Sequence, residues 1–352
     1  MQYLRFLWLT IIFTPLCLVG QIPKYYSNID FSSNANQIKL DLSKLIQQTH
    51  HTNLRYTPDV WNVVLEADRD SKNPNKINLF YGYDNTDGIN KTDRSRDIDL
   101  RCNFSGDCRG YWNREHVYPR SLGTPNLGKE FAGADAYGIR PTDFEMNVWR
   151  SNRAFGDGQG NARVTSSGDF FPGDEWKGDV ARIIMYMYLR YPTQCNPNNI
   201  VHVKESNMHE MPMLFLKWNV EDPPSELELT RNDIIEKKYQ GNRNPFVDNP
   251  FLATIIWGGA EAKNFWGDFY DLNETEENNS YKPEINSDSY DQNLAPHSVE
   301  TKIKTISESQ KIRNRDKRNR YDNKRRSRGY GIILIPLLLI SLFLGGYFIL
   351  KK

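Results

Sequence analysis

Apolar residues recur at helical spacing in several stretches of the chain. In residues 36–49 (NQIKLDLSKLIQQT), Ile38, Leu42, Leu45 and Ile46 share one face, which predicts an amphipathic helix. A second, short helix is predicted over 57–67, led by Thr57, Pro58 and Asp59, a helix-start signal. Residues 77–83 (INLFYGY) read as a strand, and the polar stretch 84–110 reads as loop. Residues 179–190 (DVARIIMYMYLR) put Val180, Ile183, Ile184 and Met187 on one face and predict a buried helix. Two more helices are predicted over 211–220 and 224–239, the latter with Pro223 and Pro224 at its start. The segment 241–250 (GNRNPFVDNP) reads as turns.

The two ends break this pattern. Residues 1–20 combine Arg5, an apolar run to Val19 and small Gly20, the pattern of a secretory signal; an uncleaved anchor is the alternative. Residues 331–350 (GIILIPLLLISLFLGGYFIL) carry no charge and are long enough to span a bilayer as a helix. Between them, 22–265 is expected to be one globular domain and 266–329 a polar, partly basic linker. The basic run 311–328 conflicts with an exported domain, because positive flanks favour the cytoplasmic side. Three explanations stay open: contact with anionic surface polymers or lipids, a tail that is a sorting signal later removed, or an unusual orientation.

A hydrophobic content of 38% and an aromatic content of 12% exclude a mainly disordered chain. The formal net charge of +1 gives no global sign of a nucleic-acid binder. Residues 1–265 hold 30 Lys and Arg against 32 Asp and Glu, so any phosphate-rich substrate must meet a local basic cluster. Cys17 lies in the signal. Cys102 and Cys108 are close enough to form a small disulfide loop in an exported protein, with two free thiols as the alternative, which leaves Cys195 alone. Zinc is not expected, since no second Cys or His pair stands at ligand spacing.

Two segments carry candidate chemistry: YWNREHVYPRSLG (111–123) and ADAYGIRPTDFEMNVWRSNRAFG (134–156). Phosphodiester cleavage needs a base, a hard cation on oxygen ligands, and a cation for the phosphate. Glu115 and Asn147 offer carboxylate and amide oxygens, neutral His116 can take a proton from water, and Arg140 or Arg150 can contact phosphate. Residue types alone do not make this specific. A Glu-His dipeptide is common, and an N-x-x-R-x-N run is more often a solvated helix face.

The segment NREHVYPRS closely resembles the signature of the endonuclease I family, exported non-specific nucleases with a ββα-metal (His-Me finger) active site. The family's second segment, D-x4-R-P-x-D-x3-N-x2-R-x-N, stands here as DAYGIRPTDFEMNVWRSN, and the resemblance extends over about 22–258. It implies an α+β domain with a ββα-metal core. Glu115 and Asn147 would be the Mg²⁺ ligands, with Mn²⁺ or Ca²⁺ as alternatives, and His116 the general base yielding 5′-phosphate products. Arg140 is expected on the phosphate; for Arg150, phosphate contact and helix docking stand as equal options. The chain departs from the family where the segment between Pro119 and Asp135 is short. Only Arg120 and Lys129 are available there for a product contact, and Tyr137 replaces a usual His.

The expected protein is a monomeric, metal-dependent endonuclease with little sequence preference. It would act on DNA, with RNA as a second substrate, and be exported and anchored by 331–350. Rival readings are an inactive nucleic-acid- or surface-binding membrane protein acting through the basic stalk, and a phosphodiesterase for small or lipid substrates. His50 and His51 are expected at the surface, and His202 and His209 are not expected to bind metal. Trp112, Trp149, Trp176, Trp218 and Trp257 are expected in the core.

Overall fold

In the computed structural model the chain is described over residues 20–270, apart from 105, 203–209 and 268. The signal segment, except Gly20, lies outside the described residues, as do the linker beyond 270, the segment 331–350 and His209. Among the described residues no helix is long and apolar enough to cross a membrane.

The expected helices form close to their predicted bounds. Helix α1 (Ala35–Thr49) is capped by Asn34, whose side chain accepts from the Gln37 amide, and it buries Ile38, Leu42 and Ile46. Helix α2 spans Asp59–Ala67. The strand expected over 77–83 is shorter: β1 is Lys76–Asn78, paired antiparallel with β2 (Ser95–Asp97), which lies in the stretch read as loop. The chain turns after β1, where the Gly82 amide donates to Leu79 O and Tyr81 takes a left-handed φ of 70°. An apolar run with one Gly looks the same in sequence whether it continues or turns.

Strand β3 (Trp112–His116) pairs antiparallel with β4 (Ile139–Asp143), in a register that sets Glu115 opposite Arg140 and His116 opposite Ile139. Helix α3 (Phe144–Arg150) follows β4 without a loop, since Asp143 ends the strand and caps the helix by accepting from the Met146 amide at 2.9 Å. Two antiparallel strands and a helix are therefore built from the two motif segments. Strands β5 (Arg163–Val164) and β6 (Phe170–Phe171) form a short ribbon.

Helix α4 (Lys177–Arg190) is buried on nearly all sides rather than on one face, and packs against α1 and α5 (Met213–Glu221). Helix α6 (Glu226–Ile234) opens on a capping box between Ser225 and Glu228 and continues as a π-helical turn to Gln240. Short helices α7 (Pro245–Asp248) and α8 (Phe251–Trp257) close the fold, so the 241–250 stretch is helical in part. Packing continues past the expected boundary at 265. Trp266 lies against Tyr26 and Phe31, and Phe269 against Phe251. Trp112, Trp176 and Trp218 are buried, while Trp149 and Trp257 are partly so. Cys102 and Cys108 form a disulfide with Cα atoms 5.7 Å apart, and Cys195 is a buried free thiol.

Because α4 carries the core, truncating it should cost more than truncating an exposed helix position. Ile184→Ala removes a side chain with no solvent exposure, and urea unfolding should show a loss of about 2–5 kcal/mol. Leu40→Ala, at a position 53% exposed, should change stability by less than about 0.5 kcal/mol. Equal losses at both sites would contradict this placement of the core.

Candidate active site

Strand β3 buries Glu115 and leaves its neighbour His116 half-buried. Glu115 is 3% exposed. Its Oε1 accepts from the Tyr81 hydroxyl at 3.3 Å and lies 3.5 Å from Arg150 Nε. Among the described residues no donor engages Oε2. Burial pushes the carboxyl up to about 7, against the lowering effect of Arg150 and the Tyr81 hydrogen bond. The site thus holds a carboxylate that lacks enough charge compensation from the protein.

His116 is ordered from two sides. Its Nε2 is 3.0 Å from Gly133 O, a group that can only accept. Nε2 therefore carries the hydrogen and Nδ1 is the free lone pair. The ring stacks on Tyr56 with centroids 5.4 Å apart and planes 24° from parallel. Burial lowers the imidazole to about 4, with Arg120 and Arg114 adding to the effect, so it is neutral at neutral pH.

Helix α3 brings the third residue. Asn147 and Arg150, three apart, share a face that lies across β3. The Asn147 amide nitrogen donates to Asn113 Oδ1 at 2.8 Å and to Arg114 O at 3.3 Å. Both partners being acceptors, the nitrogen is held toward β3, and among the described residues no donor engages Oδ1. Glu115 and Asn147 consequently present unengaged oxygens from adjacent elements, a donor set that fits a hard divalent cation completed by water and substrate oxygens. Among the described residues no three His, Cys, Asp or Glu side chains gather as a metal cluster.

The two arginines part company. Arg140, expected on the phosphate, is 2% exposed, and its Nε and Nη1 donate to Asp68 at 2.8 Å and Asp179 at 2.9 Å. Its guanidinium also lies over the Phe80 ring. The structure sets that residue, expected on the phosphate, against two core carboxylates that engage two of its three guanidinium nitrogens. Arg150 is fully buried, donates to Arg153 O and Val117 O, and flanks Glu115, an arrangement of docking and support. Arg120 is a cation close enough to influence His116. Its Nε donates to Leu127 O, and no protein acceptor among the described residues engages its Nη groups.

Three parts of the site were not singled out from the sequence: Tyr81, Tyr56 and the Gly133 carbonyl. Tyr81 looked like one more strand residue, and a backbone carbonyl has no residue signature. Of the other histidines, His51 is exposed as expected, but the His50 side chain is buried, 3.9 Å from Asp135. His202 contacts Asp169.

The Endonuclease I family pattern matches residues 34–251. An extracellular ribonuclease of Bacillus subtilis (strain 168) is 36% identical over 244 residues, covering 66% of this chain and 78% of that protein. An extracellular ribonuclease of Bacillus amyloliquefaciens is 36% identical over 246 residues, with the same coverage.

The burial of Arg140 has a measurable consequence. Arg140→Met removes one guanidinium partner from each of Asp68 and Asp179, leaving them Arg231 and Arg182, and urea unfolding should show a loss of about 3–5 kcal/mol. A loss below about 1 kcal/mol would mean that Arg140 is not held in this network.

Proposed function

The chain belongs to the endonuclease I family, and from that premise we propose that this nuclease is an exported, divalent-metal-dependent endonuclease that cuts RNA and DNA with little sequence preference. The observation that carries the reading is the placement of Glu115 and His116 on β3 and of Asn147 on α3, whose amide is hydrogen-bonded to β3, with His116 neutral and its Nε2 held by Gly133 O. Export is supported by the signal-like pattern of residues 1–20 and by relatives named as extracellular. The same relatives' names support RNA as a substrate. The segment 331–350 would tether the enzyme to a membrane.

His116 Nδ1 accepts a proton from the attacking water as the water oxygen bonds to phosphorus. The bond from phosphorus to the 3′-oxygen then breaks, leaving a 5′-phosphate; the 3′-oxygen takes a proton from a solvent water to become a 3′-hydroxyl, and His116 returns its proton to the hydroxide so formed. The hydrogen bond to Gly133 O and the Tyr56 stack hold the imidazole in the tautomer and plane this transfer needs. Glu115 and Asn147 would hold the cation, which when bound supplies Lewis-acid stabilisation of charge on the phosphoryl oxygens. Tyr81 and Arg150 fix the carboxylate beneath it. Arg120 contacts a substrate phosphate from the rim. No base-reading element is needed, because contacts to phosphate carry no sequence information.

Cleavage of plasmid DNA and of RNA by the purified chain tests this directly. Cleavage should require Mg²⁺ or Mn²⁺ and stop with excess EDTA. His116→Ala should lower kcat by about 10²–10⁴-fold, and Arg120→Gln should mainly raise KM. A folded chain that cuts neither polymer with Mg²⁺, Mn²⁺ or Ca²⁺ would replace this reading with that of a binding protein acting through its basic stalk.

Metal affinity should follow the protonation of Glu115. With its carboxyl raised to about 7, a cation must displace a proton below that pH and none above it. Apparent Mg²⁺ affinity, read by titration calorimetry, should rise about tenfold per pH unit up to pH 7 and then level off. An affinity independent of pH between 5 and 8 would remove Glu115 from the ligand set.

A further inference from the structure

We propose that Phe131 is a stacking platform for an unpaired nucleobase flanking the scissile bond, and that it biases this nuclease toward single-stranded substrate. The inference rests on His116 marking the reaction centre.

Three observations carry it. The Phe131 ring is 60% exposed and has no ring partner among the described residues, unlike exposed Phe104, which packs against Tyr111. Its backbone has a φ of 47°, a left-handed conformation that is unfavourable for a bulky aromatic residue. It also sits in the same single helical turn, Phe131–Gly133, whose last carbonyl accepts from His116 Nε2 at 3.0 Å. Exposure and strain, two separate costs, thus coincide two residues from the group that orients the base. Strain of this kind persists only where the surroundings impose it.

The surroundings do impose it. The loop is tied at its start by the Leu127 amide donating to Arg120 O, and at its end by the Ala134 amide donating to Phe131 O. Leu127, Ala132 and Ala134 are buried. Gly133 approaches Gly128 so closely that a Cβ there would lie 2.1 Å from the Gly128 carbonyl oxygen. Gly128, Lys129, Glu130 and Phe131 are exposed at the tip. The ring is therefore presented on a rigid support. Lys129 suits a phosphate next to it, while Glu130 disfavours a second one close by.

An apolar ring beside a phosphodiester centre finds its match in the flat face of a base. Bases in a duplex are already stacked and paired, whereas those in a single strand have a free face. Stacking of this kind tolerates any base, in keeping with a nuclease that does not read sequence.

The test compares a single-stranded oligonucleotide with its duplex, using the wild type, Phe131→Asn and Phe131→Trp. Asn tolerates the left-handed backbone, so Phe131→Asn should keep or raise the thermal midpoint. It should raise KM on the single strand about tenfold, within the range for loss of one base–aromatic stack. KM on the duplex and kcat on both should change by less than about twofold. Phe131→Trp should restore KM. Its added fluorescence over the wild type should be quenched by the single strand in EDTA, where no cleavage occurs, so this arm is independent of the catalytic assignment. Equal losses on both substrates, a lowered thermal midpoint with unchanged single-strand preference, or no quenching by the single strand would overturn the proposal. Full activity of His116→Ala would instead overturn the catalytic reading, and the quenching would still report on Phe131.

Discussion

Arg140 leaves β4 and donates to Asp68 at the end of α2 and to Asp179 on α4. Asp68 also accepts from Arg231 of α6, whose Nη2 donates to the carbonyls of Ala136 and Ile139 at the start of the strand. Arg182 of α4 completes the set through a two-pronged contact with Glu228 of α6. All these side chains are nearly inaccessible to water. Each charge has left water and depends on its partners, because an uncompensated buried charge costs several kcal/mol, about 3–5 when one partner is removed. The network consequently joins β4 to three helices in one arrangement.

The chemistry sits one strand away from that anchor. β4 is held by the network, β3 is paired to β4, and Glu115 and His116 lie opposite Arg140 and Ile139. Asp143 ends β4 and starts α3, so the helix leaves at a defined angle and carries Asn147 and Arg150 back over β3. A slip of one residue in the β3–β4 pairing would turn His116 inward and Glu115 outward. Core electrostatics and the placement of β3 are therefore one construction, with Arg140 tying β4 to Asp68 and Asp179.

The site combines two opposite protonation preferences. Burial favours a protonated Glu115 and a neutral His116. A neutral imidazole keeps a lone pair that can take a proton, while ionising Glu115 places an uncompensated charge in the packed domain. Desolvation by the same packed domain drives both shifts. The difference in direction comes only from the sign of the charge that each group would carry.

Much was legible from sequence alone. The helical periods around Ile38 and Ile184 and the Glu-His pair of the first motif are local properties, set by side-chain spacing and residue type along the chain. Family membership was readable for the same reason, since its motifs are contiguous. The role of Arg140 was not, because its partners Asp68 and Asp179 are 72 and 39 residues away. Nor were the turn that directs Tyr81 at Glu115, the Tyr56 ring on His116, or the Gly133 carbonyl that selects the tautomer. Each of these depends on where distant segments meet. Sequence determined which groups could do the chemistry, and the tertiary structure decided which of them are free to do it, because burial and partnering are properties of the packed chain.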